Sequence, residues 1–298
     1  MLFTAGILLT KIASARINLT LGFLIATTTN VVFSGLAFLV QLAIRPEGVQ
    51  WNGRAFLLFG LAGGFSTYLG RWFFYESVVR FGPSRASVFQ VSSPLFTALI
   101  AWLLLGEHLT PLLLLGMAIT MGGLMLVSYK PGFFSRRAPA PEVAVETGTL
   151  QERLLQSMLL LGLGSSLAYA VGNVLRGTAV RLWNEPVLGA LVGSIFGLAL
   201  QLAASSHKRD IGMNLRNANP GGVWLFVLIG IMTISAQMCA IGAMRYIPLS
   251  VATLVTLCTP LLVFPLSHLL FKNSEGIGRM ALIGCCMTVF GIFIVVMR

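Results

Sequence analysis

The stretch at residues 19–44 reads LTLGFLIATTTNVVFSGLAFLVQLAI and contains no charged residue. A helix that crosses the hydrocarbon core of a bilayer needs about 20 apolar residues, so this stretch is long enough to span a membrane. The rest of the chain is similar: 56% of its 298 residues are apolar and 10% are charged, whereas a soluble domain carries about 25% charged residues. The sequence therefore predicts an all-α integral membrane protein, because a soluble protein of this composition would expose large apolar patches.

Eight further apolar runs are long enough to cross a bilayer, and with 19–44 they make nine predicted spanning helices. Residues 1–13 are also apolar, but this run is too short to span alone. The eight runs lie at 55–80, 84–105, 110–129, 154–180, 186–204, 221–245, 249–271 and 275–297.

The sequence carries none of the motifs that would indicate an enzyme or a metal site. It has no H-E-x-x-H, P-loop or G-x-S-x-G pattern, and its four cysteines fall in apolar runs without zinc spacing. The net charge of +11 comes mostly from short loops, where anionic lipid headgroups are simpler partners than nucleic acid. We therefore predict no catalysis, metal or cofactor. The predicted partners are membrane lipid and a small-molecule metabolite, and the predicted assembly is a monomer or homodimer.

The two halves of the chain repeat each other. Residues 130–153 are the one long polar segment and predict a linker between a first half at 1–129 and a second at 154–298. Apolar helices resemble one another by composition, which is the alternative explanation, but glycines and prolines recur at steady offsets of 165–168 residues. The pairs are Pro83 with Pro248, Pro94 with Pro260, Gly22 with Gly189, Gly116 with Gly284 and Gly123 with Gly291.

The number of helices in each half decides how the halves insert. If each half has five, the second half enters the membrane upside down, which gives the inverted repeat of many secondary transporters. Gly6 aligns with Gly172, whose helix begins near residue 154, so the partner helix should begin about a dozen residues before Met1. The first helix is therefore predicted to be truncated in this chain; a genuine half-helix is the alternative.

Short motifs support a specific kind of repeat. The first half contains Arg85-Ala86-Ser87, Ser92-Ser93-Pro94-Leu95-Phe96 and Leu105-Gly106-Glu107-His108-Leu109-Thr110, and the second contains Pro248-Leu249-Ser250-Val251-Ala252 and Thr259-Pro260-Leu261. Over nearly the whole chain this pattern resembles the EamA-type domain of the drug/metabolite transporter superfamily. The resemblance implies a ten-helix bundle of two inverted five-helix repeats in an inner or plasma membrane, with small metabolites, often amino acids, moving through a central cavity. Lys272-Asn273-Ser274-Glu275 departs from the Gly-Glu turn of the family.

Arg71 is the most informative residue for function. It lies roughly 5 Å past the midpoint of the predicted helix at 55–80, where a charge is costly unless it faces a partner or water. Tyr68 and Tyr75 share its face, because they lie three residues before it and four after it. This face suits a substrate carboxylate. The alternative is an Arg71 that snorkels or binds backbone carbonyls.

Four other polar residues in the spans are candidates for substrate binding. Glu76 lies away from the Arg71 face and is predicted either to pair with Arg80 or to serve a substrate ammonium or a coupling proton. Lys11, Tyr169 and Asn173 gain weight because the first and sixth helices line the cavity in the resembled family. For each of these three, a hydrogen bond between helices is the alternative.

Two prolines inside predicted helices are candidate hinges. Pro94 and Pro260 lack the N–H that would bond four residues back, so each frees a backbone carbonyl. Gln90 lies just before Pro94 and is a further candidate for substrate binding. Static kinks are the alternative to hinges.

These observations favour a secondary transporter of a small polar or amphipathic metabolite, with an amino-acid-type exporter working by alternating access as the first candidate. A carrier of phosphorylated compounds or nucleotide-sugars is the second, but it would need several deep cations, and Lys11 and Arg71 are the two that are clearly deep. A non-transporting scaffold or receptor is the third. Loops after odd-numbered helices hold twelve Lys and Arg, and loops after even-numbered helices, together with the C-terminus, hold five. The positive-inside rule then places the C-terminus outside the cell, whereas the resemblance implies a cytoplasmic C-terminus.

Overall fold

The computed structural model describes residues 2–45, 48–81, 90, 92–106, 110–128, 158–204, 215–216, 218–256 and 279–296. The main elements of this part of the chain are eleven α-helices and one π-helical segment, Gly63–Gly70, which joins α3 to α4. The α-helices are α1 (Leu2–Ser14), α2 (Leu19–Ile44), α3 (Gly53–Ala62), α4 (Arg71–Phe81), α5 (Ser93–Leu105), α6 (Pro111–Ser128), α7 (Met158–Leu182), α8 (Pro186–Ala204), α9 (Pro220–Ala243), α10 (Leu249–Thr256) and α11 (Arg279–Val296). The predicted all-α class is confirmed, and the count of ten helices stays a prediction.

Local sequence explains where several helices begin and end. The Asn18, Asn52 and Asn219 side chains accept hydrogen bonds from backbone N–H groups in the first turns of α2, α3 and α9, groups that have no partner within the helix. Pro220 occupies the first turn of α9, where its missing N–H costs nothing. Gly106 ends α5 with a φ of 65°, a conformation that glycine adopts without strain.

The outer surface of the bundle is apolar. Leu36, Leu39, Leu104 and Trp224 are each more than half exposed, and many other large apolar side chains lie outside with them. Three helices, Leu19–Ile44, Pro186–Ala204 and Pro220–Ala243, are long and apolar enough to cross a membrane on their own. A surface of this kind is stable in lipid and not in water.

The predicted helix at 55–80 is not uniform. It is built from α3, the π segment and α4 in succession, so one continuous rod runs from Gly53 to Phe81. The Ser66 hydroxyl donates to the Ala62 carbonyl at the start of the π segment. π-helical turns are rare and occur frequently at functional sites, and this one ends directly before Arg71.

Aromatic rings fill the space beside equivalent glycines in the two halves. The Phe226 ring lies so close to Gly22 that any side chain there would overlap it, and the Phe59 ring does the same at Gly189. Gly189 lies 167 residues after Gly22, and Phe226 lies 167 residues after Phe59. Each contact thus joins a glycine of one half to a phenylalanine of the other, and replacing both residues of one contact by their counterparts gives the other contact.

Helices α6 and α11 make a second reciprocal contact. A Cβ on Gly123 would come within 2.6 Å of the Gly284 carbonyl oxygen, and a Cβ on Gly291 within 2.7 Å of the Gly116 carbonyl oxygen. Both pairs of counterparts are 168 residues apart. Glycine is required at these positions because the two backbones approach too closely for a side chain.

The two halves are also joined by polar and aromatic contacts at one end of the bundle. Glu185, between α7 and α8, accepts a hydrogen bond from the Gln41 amide and lies 3.4 Å from the Arg45 guanidinium. The rings of Trp51 and Trp183 meet edge to face with centroids 5.8 Å apart. We call this group of five residues the end contact.

Replacing Gly123 with alanine tests the close approach of α6 and α11. The added methyl group would strain the backbone contact, and overpacking of this kind costs about 1–3 kcal/mol. We expect Gly123→Ala to lower the thermal unfolding temperature of the purified protein in detergent.

The neighbouring glycine provides the matched control. A Cβ on Gly122 would meet only the Met287 methyl carbon, at 3.8 Å, and alanine favours the helix by about 1 kcal/mol. Gly122→Ala should therefore leave the unfolding temperature unchanged or raise it. Equal decreases for the two variants would contradict the packing of these helices.

Candidate functional site

Arg176 on α7 is buried inside the bundle, with a relative exposure of 6%. Its Nη2 lies 3.3 Å from the Thr67 hydroxyl, in the middle of the π segment, and donates a hydrogen bond to it. The Gln237 amide on α9 lies on the other side. When its oxygen faces the guanidinium, as the donors there require, it accepts from Nη2 at 2.7 Å and from Nε at 3.1 Å. Arg176 is thus held by neutral acceptors alone among the residues that the structure describes.

Arg71 is the second cation of the site. It is half-buried at the first position of α4, and its guanidinium carbon lies 5.4 Å from the centre of the Phe23 ring. Its charge acts directly on Arg176 and repels it. Within the described ranges, no carboxylate lies at ion-pair distance from either guanidinium. Two positive charges therefore lie together inside a membrane bundle without an acidic partner in that part of the chain.

Two predicted site residues lie on the same helix as Arg176. Tyr169 and Asn173 precede it by seven and three residues, so all three lie along one face of α7. Tyr169 is close enough to interact electrostatically with Arg176, and its ring packs against Gly70, at the end of the π segment. Asn173 is half-buried. The structure therefore brings Tyr169 into the neighbourhood of both cations.

Gln90 takes part in a chain of hydrogen bonds beside this group. Its amide nitrogen donates to the Ser165 hydroxyl on α7, which in turn donates to the Gly70 carbonyl at 3.0 Å. The carbonyl at the end of the π segment is satisfied in this way by a side chain of the other half. Gln90 therefore supports the π segment from outside, whether or not it also contacts a substrate.

Four other candidate residues lie in the first half, and the structure describes the side chains of two of them. Tyr68 is half-buried on the π segment. Glu76 is half-buried on α4 and has an interaction partner of its own. The helices that carry Lys11 and Tyr75 are described, but their side chains lie outside the described residues. The predicted roles of these four residues stay predictions.

Of the two candidate hinge prolines, the structure describes Pro94 and not Pro260. Pro94 is buried in the first turn of α5, after a turn at Ser92, so the described helix begins there and is not interrupted by the proline. Gln90, just before this turn, is helical. Pro260 lies outside the described residues, and hinge motion at either proline stays a prediction.

Five residues thus form what we call the central polar cluster. Thr67 and Arg71 come from the first half, and Tyr169, Arg176 and Gln237 come from the second. A guanidinium has five N–H donors in a planar fork that matches carboxylate and phosphate groups. The cluster is therefore suited to bind an anionic group where the two halves meet.

Arg176 was missed in the sequence analysis, although a simple count could have found it. Of the 20 Lys and Arg in the chain, seventeen lie between the predicted spans, close to a span end or at the C-terminus, and the other three are Lys11, Arg71 and Arg176. Arg176 lies only a few residues from the predicted end of its helix at 180, which favours a snorkelling interpretation. Its position on the face of Tyr169 and Asn173 was the signal of its inward orientation.

A helical bundle with an apolar exterior, three membrane-length helices and a buried arginine is typical of an integral membrane protein. Comparison with known proteins makes the assignment specific: residues 1–129 and 156–297 match the EamA-like transporter family, and the chain belongs to it. It is therefore a multi-pass membrane transporter of small molecules, from a family that is typically not enzymatic.

Solved structures support the same fold. One crystal structure superposes with a TM-score of 0.67 over 99% of this chain and 94% of the other, at 14% sequence identity. At this identity the likeness shows the fold alone. No curated protein matches the sequence.

Replacing Arg176 with glutamine tests whether this residue serves function rather than folding. Glutamine keeps amide donors for Gln237 and Thr67 and removes a buried charge that Arg71 repels. Because replacing buried charges is often neutral or stabilising, we expect Arg176→Gln not to lower the unfolding temperature of the substrate-free protein. Arg54→Gln, at an exposed position on α3, is the control. A clear loss of stability in Arg176→Gln alone would assign Arg176 a structural role.

Proposed function

We propose that the protein is a secondary transporter of a small polar or amphipathic metabolite that carries an anionic group, with an amino-acid-type exporter as the first candidate. Transport occurs by alternating access between two inverted repeats in the inner or plasma membrane. The substrate binds at the central polar cluster, with Arg71 and Arg176 as its charged contacts.

The observation that carries the proposal is the pair of guanidinium groups without a carboxylate among the described residues. A charge at the depth of a bilayer costs at least about 2.5 kcal/mol, and a second charge of the same sign adds repulsion. An anion between the two guanidinium groups would remove both costs at once. A site that is unfavourable when empty and favourable when filled selects for an anionic substrate.

The reciprocal glycine contacts support alternating access between inverted halves. Exchange of the halves turns the Gly22–Phe226 contact into the Gly189–Phe59 contact, as expected for a two-fold relation. Such a relation between five-helix halves gives opposite insertion in the membrane. The same scaffold can then form an inward-open and an outward-open state of similar energy by exchanging the conformations of its halves.

The end contact is suited to a gate between the halves. Arg45 is 59% exposed at the side chain, and ion pairs in water contribute only about 0–1 kcal/mol. The Trp51–Trp183 contact adds an aromatic pair of about 0.5–1.5 kcal/mol. Contacts of this strength hold one end closed and still allow it to open during each transport cycle.

Arg176 also strengthens the second candidate function. A carrier of phosphorylated compounds or nucleotide-sugars needs several deep cations, and Arg176 adds one to Arg71. A guanidinium fork binds a phosphate monoester as well as it binds a carboxylate.

The test of the proposed function is transport by purified protein in liposomes. Flux of an amino acid or a phosphorylated metabolite in Arg71→Ala should fall by about thirtyfold or more, since leaving a buried charge partner unpaired costs about 2 kcal/mol or more. Arg54→Ala, which removes an exposed arginine of α3, should keep the normal rate. Normal flux in Arg71→Ala would remove Arg71 from the site.

The orientation of the C-terminus is a separate prediction. The family resemblance implies a cytoplasmic C-terminus and the loop charges imply the opposite; we follow the family. A C-terminal fusion to a fluorescent protein that folds only in the cytoplasm should be bright, and a fusion to a phosphatase active only outside should be inactive. The reverse pattern would show that the charge distribution decides the insertion.

A further inference from the structure

The Gln237 amide oxygen is a neutral acceptor for the buried Arg176 guanidinium. In the orientation that satisfies the donors, this oxygen accepts from Nη2 at 2.7 Å and from Nε at 3.1 Å. Gln237 reaches the site from α9, whereas Arg176 lies on α7 and Thr67 on the π segment of the first half. Three elements of the bundle thus meet at one guanidinium.

Gln237 and Thr67 do not satisfy all the hydrogen-bond donors of Arg176. Arg176 has five N–H donors. The Gln237 oxygen offers two lone pairs and the Thr67 hydroxyl two more, and the described partners carry no negative charge. At least one donor and the whole positive charge are therefore uncompensated by these partners. A neutral amide is a weak substitute for the charged acceptor that a buried guanidinium requires.

We propose that Arg176 is a second anion subsite, distinct from the one at Arg71, and that Gln237 occupies it as a neutral substitute until a second anionic group of the substrate displaces it. This inference rests on the proposed function. It assigns the substrate class: metabolites with two anionic groups, either two carboxylates or a carboxylate and a phosphate, one for each guanidinium. It also makes Gln237 the residue that sets the preference for such substrates.

Displacement of Gln237 has a consequence for the transport cycle. When a substrate anion takes the donors of Arg176, the bond between α7 and α9 is lost and a new one joins Arg176, through the substrate, to Arg71 on α4. A substrate with two anionic groups can bind Arg71 with one group and displace Gln237 from Arg176 with the other. A substrate with one anionic group binds at Arg71 and leaves Gln237 in place.

The variant that isolates this role is Gln237→Glu, which supplies Arg176 with a permanent internal carboxylate of the same length. The probes are L-glutamate and L-glutamine, which have the same shape and differ by one anionic group. The measurement is the ratio of their half-saturating concentrations, in binding to the purified protein and in liposome transport. We expect the wild-type protein to prefer glutamate by about tenfold or more, the value of one additional charged hydrogen bond, and Gln237→Glu to lose this preference.

Two further variants separate charge from shape. Gln237→Asn shortens the side chain and adds no charge, so it should keep the preference for glutamate. Arg176→Gln removes the second subsite and should lose the preference as Gln237→Glu does, which keeps the test decisive if the latter variant fails to fold. Loss of preference in Gln237→Asn, or a preference that survives both Gln237→Glu and Arg176→Gln, would overturn the inference.

A second pair of probes, O-phospho-L-serine and L-serine, distinguishes phosphate from carboxylate at the second subsite. A larger preference within this pair than within the glutamate pair assigns phosphate to Arg176, and a smaller one assigns carboxylate. If the wild-type protein binds these compounds but shows no preference in either pair, this inference fails and the proposed function stands. If it neither binds nor transports any of the four, the anionic, amino-acid-type substrate of the proposed function fails as well.

Discussion

The repulsion between two guanidinium groups inside an apolar bundle is the constraint on which the rest of the structure depends. Arg176 is buried and Arg71 is half-buried inside the bundle, and charges at such depth in a membrane are expensive. Net stability of a folded protein is only about 5–15 kcal/mol. The surrounding fold must therefore supply enough favourable packing to tolerate an unfavourable centre.

That packing comes from close contacts between backbones. Without a hydrophobic force between helices in lipid, association depends on small residues that allow a short interhelical distance. Gly63 meets the Gly193 backbone so closely that no side chain would fit between them, and the π segment begins at this contact. Thr67, four residues on, is then directed at Arg176. The same close approach that stabilises the bundle thus positions a hydroxyl for the buried cation.

Sequence reasoning reached the fold more completely than the site, for physical reasons. The bounds of α2 and α8 were predicted to the residue, because a span without charges is a property of local composition. The π segment was not predicted, since it depends on contacts with the other half, such as the Ser165 hydroxyl at the Gly70 carbonyl. The Arg176–Gln237 contact joins two helices through side chains, and the spacing within either helix does not reveal it.

The cluster is asymmetric although the contacts around it are reciprocal. The position that corresponds to Arg176 in the first half, 166 residues earlier, is Thr10, and the position that corresponds to Gln237, 167 residues earlier, is Gly70. At the offset of 165 residues that relates Pro83 to Pro248, Arg71 corresponds to Ala236 in the second half. Neither arginine has a charged counterpart in the other half, so the two charges do not follow the repeat. The packing glycines recur in both halves, whereas Arg71, Arg176 and Gln237 do not. Substitutions at positions that the repeat does not fix can change a binding site and leave the shared packing intact, and one scaffold can in this way serve many functions.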